Sequence, residues 1–200
     1  MGWRMKRTVV SLVALLAFGQ LGIAHLARAD SETDQAVQKT LKTLVGSIRY
    51  GKDDTAAKQL AFTAMGKELL ADDWSNLTPA EQSEVGHGLE TVIRAASFAK
   101  GRDMFKYLDA LLFEPARVSG DRAQVKSTIV VHRELKKTEV IIDWVLIKDG
   151  GSWKVLDTVM LGESTLKGLR DDQVVPLLKQ GGTAAVLKAL RDKVATVQKT

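Results

Sequence analysis

The chain has 200 residues, with 29 Lys and Arg against 24 Asp and Glu, and no cysteine. Without cysteine there can be no disulfide, no thiol catalysis and no cysteine-ligated metal. The positive excess sits at the start, where Arg4, Lys6, Arg7 and Arg28 fall within residues 1–29; the remainder is close to neutral, which argues against a nucleic-acid surface.

Residues 1–29 read as a cleaved secretory signal. A basic start precedes the apolar run from Val9 to Ile23, which is shorter than the roughly 20 residues of a membrane span. Ala27-Arg28-Ala29 places small residues at the two positions a signal peptidase reads. Asp30 is therefore the expected first residue of an exported, periplasmic protein. Residues 30–200 contain no linker, repeat or low-complexity tract and are expected to form a single domain, large enough for its own core.

The first half reads as helical. Val37, Leu41, Leu44, Val45 and Ile48 mark one face of a helix, which Gly51 and Asp53-Asp54 end. A second helix is expected over 55–70, with Leu60 and Leu69 inward. Thr78-Pro79-Ala80-Glu81 has the form of a capping box with proline at the first helical position. Leu89, Val92, Ile93 and Ala96 then make an inward face. Gly101 is expected to end or bend this helix, and residues 104–112 to form another short helical stretch.

The pattern changes after Pro115. Apolar and polar residues alternate from Arg122 to Glu134, the mark of a strand with one buried face. Residues 138–147 form a second strand whose two faces are both apolar, as expected of a strand covered on both sides. After Asp149-Gly150-Gly151, a third strand runs from Trp153 to Leu161, and residues 117–119 are a candidate fourth. Short hairpins make these strands antiparallel neighbours. Beyond them come an apolar segment stopped by Gly181-Gly182 and a final helix carrying Val186, Leu187, Leu190, Val194 and Val197. Helices, then an antiparallel sheet, then helices give the class α+β.

Three stretches in this order carry a resemblance. The first is Phe62 to Leu70, with Trp74 and Leu77 to Gln82. The second is Val118 to Val125. The third is Trp153 to Asp157 with Gly162-Glu163-Ser164, before the C-terminal helices. Together they resemble the MlaC family, also known as toluene-tolerance auxiliary proteins of a lipid ABC transport system. The resemblance implies a nuclear-transport-factor-like cone, with helices over a curved antiparallel sheet and a lipid-sized cavity. It also implies a carrier, not an enzyme, that moves phospholipid between an outer-membrane lipoprotein complex and an inner-membrane lipid ABC transporter complex. It implies no cofactor beyond the cargo and a monomeric state. Hopanoid, or another apolar small molecule, is the alternative cargo.

Such a task has a clear physical requirement. Exposing one long acyl chain to water costs on the order of 10 kcal/mol, at about 0.8 kcal/mol per methylene. A carrier must offer enclosed apolar surface instead. The candidate lining is Ile129, Val131, Ile142, Trp144, Val155, Val159 and Leu161 from the sheet, with Leu89 and Ile93 from the facing helix. Gly162 and Ser164 are candidates for the pocket mouth. Ordinary core packing is the bland reading of the same apolar stripes. Gly86 and Gly88 either leave space in their helix or allow close packing.

Other chemistry is poorly supported. Gly162-Glu163-Ser164-Thr165-Leu166 begins like a nucleophile elbow but lacks the second glycine. His87 and His132 stand without an organised carboxylate cluster, so no metal site is expected. Asp143, between apolar neighbours, is the candidate base if the chain were instead a small cone-fold enzyme using a pocket carboxylate. Asp157 reads as structural. Arg117, Arg122, Lys126, Arg133, Lys136 and Lys137 form either a basic rim for a head group or acidic partner, or a solvated sheet edge.

Overall fold

The computed structural model describes residues 27–199. Apart from Ala27 to Ala29, the expected signal lies outside the described residues. A short strand, β1 (Ala27–Arg28), leads into α1 (Ser31–Arg49), whose start is fixed by Asp30: its carboxylate accepts from the Thr33 amide at 2.7 Å. Val37, Leu41, Leu44, Val45 and Ile48 are all buried, as their spacing predicts.

The single helix expected over 55–70 is instead two, α2 (Asp53–Ala57) and α3 (Phe62–Leu70). A contact distant in sequence breaks it. The Ala61 amide donates to the Val155 carbonyl at 2.9 Å, and the Val155 amide donates to the Gln59 carbonyl at 2.8 Å. Leu60 thereby forms a parallel bridge to Val155 and the intervening residues leave the helix.

After a 3₁₀ turn (Ala71–Asn76), α4 (Pro79–Ile93) opens with the expected capping box: the Glu81 amide donates to the Thr78 hydroxyl and the Thr78 amide to the Glu81 carboxylate. The helix continues through a π-helical turn (Arg94–Phe98) into α5 (Ala99–Phe105). Gly101 does not end it. A Cβ there would lie 2.9 Å from Ile48 Cγ2, so the glycine lets α5 approach α1. The segment 104–112, expected as helix, turns at Lys106 into strand β2 (Leu108–Phe113). Its short apolar run suits either state, and pairing decides, with Leu111 opposite Ile129 and Phe113 opposite Ser127.

The sheet is completed by β3 (Arg117–Ser119), β4 (Arg122–Arg133), β5 (Lys136–Asp149), β6 (Ser152–Met160) and β7 (Glu163–Ser164). All described pairings between strands are antiparallel, in the order β1-β3-β4-β5-β6-β7, with β2 alongside the far half of β4. The chain ends with α6 (Thr165–Leu169), a second π-helical turn (Arg170–Val174) and α7 (Val175–Val197), kinked at Gly181-Gly182, where Gly182 has φ of +62°. The result is α+β: an open, curved antiparallel sheet with helices packed on it and a C-terminal helical segment.

Candidate functional site

The apolar residues gather in two clusters. The first lies between one face of the sheet and α1 and α5: Ala123, Val125 and Ile129 of β4, Ile142, Trp144 and Leu146 of β5, and Trp153 and Val155 of β6. Buried polar groups here find partners: the Trp144 indole N–H donates to Ser127 Oγ at 2.7 Å, and the Thr40 hydroxyl donates to the Trp153 carbonyl at 3.1 Å. The second joins α3, α4 and the C-terminal helices around Met65, Leu69, Val85, Leu89, Leu156, Val174 and Leu187. Val145 and Ile147, on the opposite face of β5, pack against it, so this part of β5 is covered on both faces as expected. Ile141 on that same face stays 57% exposed.

The residues expected to line a pocket divide accordingly. Ile129, Ile142, Trp144 and Val155 are buried in the first cluster, and Val131 packs half-buried against it. Leu89 is buried in the second cluster; Ile93 is half-buried and touches both. Val159 and Leu161 are elsewhere. Between Val145 and Leu146 the register with β6 slips: Leu146 stands opposite Val155, but Val145 stands opposite Asp157. Leu156 is the extra residue of a β-bulge and turns into the second cluster. Beyond it the alternation is reset, and Val159 faces Asp143 on the side away from Trp144. Leu161 has φ of +53° in the turn to β7 and is fully exposed. Gly162, with φ of +84°, completes that turn. Ser164 caps α6, accepting from the Lys167 amide at 2.9 Å and donating to Asp157 at 2.6 Å.

Gly86 and Gly88 serve close packing. A Cβ on Gly88 would sit 2.7 Å from Leu190 of α7, and one on Gly86 would sit 3.2 Å from Thr63 Oγ1 of α3.

The two clusters meet at Leu60, Phe62 and Ile93, all half-buried and all in contact with both. Composition gave no sign of this seam, because Leu60 and Phe62 are brought there by the break before α3. Beside it lies the segment holding α2, whose Ala56 and Ala57 are buried in the first cluster. Asp54 accepts from Arg94 at 2.6 Å and Asp53 from Arg102 at 2.6 Å, tying α2 to the long helix. Bonding to Asp54, and then to Glu90, holds the Arg94 guanidinium more firmly protonated than usual. Two open clefts converge on Glu90 and Arg94. One, of about 550 Å³, includes Asp53, His87, Thr91 and Arg102; the other, of about 650 Å³, includes Ala57, Lys58, Leu60, Phe62 and Lys154.

Candidate catalytic groups are not gathered. Asp143 is half-buried on the sheet face away from Trp144, opposite Lys126, in an open cleft of about 320 Å³ with Gln124 and Arg117. His87 and His132 are exposed and on separate elements. Among the described residues no cluster of His, Asp and Glu could hold a metal ion, and no helix is long and apolar enough to cross a membrane. The basic residues of the sheet are spread out and mostly partnered: Arg122 with Glu68, Lys126 with Glu114, Lys137 with Glu139, and Arg133 over the Tyr107 ring.

The sequence matches the family described as MlaC protein over residues 30–192. No curated protein sequence matches it. Among solved structures, the chain is similar to a phospholipid-binding protein from Ralstonia solanacearum, solved in complex with a phospholipid. The TM-score is 0.65 at 16% identity, covering 85% of this chain and 99% of that one. A protein of the NTF2-like family from Streptomyces avermitilis gives a TM-score of 0.35 at 12% identity, covering 64% of this chain and 95% of that one.

Proposed function

Since this chain belongs to the MlaC family, we propose that it is a lipid carrier, which shelters the acyl chains of a phospholipid between its helices and its sheet. The observation that carries this reading is the structural likeness, over nearly the whole of that chain, to a protein solved with phospholipid bound. The reading includes export through the signal at residues 1–29 and work in the periplasm. There the protein passes lipid between an outer-membrane lipoprotein complex and an inner-membrane ABC transporter complex.

The physical chemistry is consistent. The interior faces of the sheet and helices are apolar, and the buried Trp144 indole and Thr40 hydroxyl have acceptors in Ser127 Oγ and the Trp153 carbonyl. In the conformation described, Leu89, Ile93, Ile129, Val131, Ile142, Trp144 and Val155 pack against neighbouring side chains. Uptake therefore requires these residues to part. A chain that enters replaces side-chain contacts with contacts of its own, so apolar surface stays out of water throughout and the net cost of opening is small. The enzyme alternative fares worse, because Asp143 is directed to an open cleft on the other face of the sheet.

The test is direct. Protein purified from cells expressing the full chain is extracted into organic solvent, and the extract is analysed by mass spectrometry. Diacyl phospholipid approaching one molecule per protein is expected. Protein that carries no lipid, and takes none up from vesicles after delipidation, would refute the proposal. A hopanoid or another apolar molecule in the extract would keep the carrier and change its cargo.

A further inference from the structure

We infer that the cleft beside Arg94 holds the phosphodiester of the bound lipid, while the acyl chains pass between Leu60, Phe62 and Ile93 into the interior. This rests on the carrier reading and extends it to the polar end of the ligand. The three apolar residues touch both clusters, so a chain inserted among them meets apolar side chains on each side.

The polar ties beside this seam are weak. Residues 53–61 are held to the long helix by two ion pairs, Asp53–Arg102 and Asp54–Arg94. Pairs this accessible add little to stability. The segment is also anchored by Ala56 and Ala57, buried against α1 in the first cluster, and by the bridge between Leu60 and Val155, so the ion pairs can exchange while the backbone stays in place. Arg94 also opens the π-helical turn, a wider turn that recurs at functional sites in helices.

Charge and polarity select the occupant. Lys58, Arg94 and Lys154 surround a floor of Ala57, Leu60 and Phe62. Lys58 has no ion-pair partner among the described residues, and Lys154 bonds Asp149 at 2.7 Å. Arg94 bonds Asp54, whose side chain is 85% exposed. A phosphodiester carries one negative charge and two free oxygens, a match for the planar fork of a guanidinium. It would displace Asp54 to water, while Glu90, one helical turn before Arg94 and 3.1 Å from it, keeps the guanidinium oriented. The apolar floor suits the glycerol esters that follow the phosphate.

The experiment compares two lipids that share a diacylglycerol body and differ in the phosphoglycerol head group that carries the phosphodiester. Protein from cells expressing the full chain is delipidated and incubated with vesicles of phosphatidylglycerol and diacylglycerol in equal amounts. It is then re-isolated, and its lipids are counted. Wild type is expected to carry mainly phosphatidylglycerol. Arg94→Gln should lose about tenfold in phosphatidylglycerol, as for one charge-assisted hydrogen bond, and keep its diacylglycerol. Arg191→Gln, which removes a similar exposed pair with Glu84 far along the chain, should keep the wild-type ratio. Diacylglycerol retained by Arg94→Gln also shows that the variant is folded. An unchanged ratio in Arg94→Gln would overturn the inference, as would equal loss of both lipids. Inorganic phosphate that binds wild type but does not compete with phosphatidylglycerol would also overturn it, in favour of a free-anion site. Wild type that takes up neither lipid refutes the carrier reading itself, before any variant is compared.

Discussion

Ser164 donates its hydroxyl hydrogen to the carboxylate of Asp157 at 2.6 Å, seven residues back along the chain. The same carboxylate accepts from the Leu166 amide at 2.9 Å and the Thr158 amide at 2.8 Å. Ser164 Oγ in turn accepts from the Lys167 amide. Donors at the start of α6 that would otherwise lack partners are thus satisfied from β6, and the corner between sheet and C-terminal helices is closed by side chains.

Asp157→Ala should therefore lower unfolding stability by about 2 kcal/mol, since several donors lose their acceptor at once. Ser164→Ala should cost about 1 kcal/mol, the usual loss of an N-cap. The double variant should lose less than the sum, because the two residues act through one network. Urea unfolding of the four proteins measures all three quantities, and strict additivity would show that the network is not coupled.

Two glycines in helices should respond in opposite directions to alanine. Gly46 in α1 has nothing within 4 Å of its Cβ position, so Gly46→Ala should stabilise by up to about 1 kcal/mol through helix propensity. At Gly88 the added methyl meets Leu190 of α7 at 2.7 Å. Overpacking there outweighs the propensity gain, and a net loss of about 1 kcal/mol is expected. Thermal melts of both variants decide the matter.

The buried indole of Trp144 has one acceptor, Ser127 Oγ. Ser127→Ala strands that N–H in an apolar surround and should cost about 2 kcal/mol. A loss near zero in denaturant unfolding would mean that the indole had found another partner.

The capping box of α4 makes a prediction about pH. Bonds from the Thr78 amide, and then the Thr78 hydroxyl, hold the Glu81 carboxyl below the usual carboxylate range. A lowered folded-state value means that the stabilisation is complete above the unfolded-state value of about 4.3. It is lost as pH falls through the lower folded-state value. Wild type should thus exceed Glu81→Gln in stability at pH 7, and the gap should close on acidification to pH 3. A gap that is constant with pH would remove Glu81 from the account.

Much of the fold could be read from local pattern. The inward face of α1, the capping box at Thr78 and the alternation in β4 each depend on residues within a few positions of one another, where sequence periodicity is informative. What escaped was decided at a distance. The break before α3 is made by Val155, far along the chain, and β2 is a strand because β4 is there to pair with it. The apolar stripe through Ile129, Ile142 and Trp144 was legible as buried surface. The seam at Leu60, Phe62 and Ile93 was not, and neither was the pairing of Asp54 with Arg94 across 40 positions. Such ion pairs leave no periodic trace.

The bulge in β6 bears on where this strand can change length. Removing Leu156 would leave Val155 opposite Leu146 and Asp157 opposite Val145, so every other pair would survive. The loss would be one side chain from the second cluster. Deleting a neighbour in β4 or β5 would instead reverse the facing of all that follows. Natural variation by a single inserted or missing residue should therefore collect at this point of the sheet and spare the two long strands beside it.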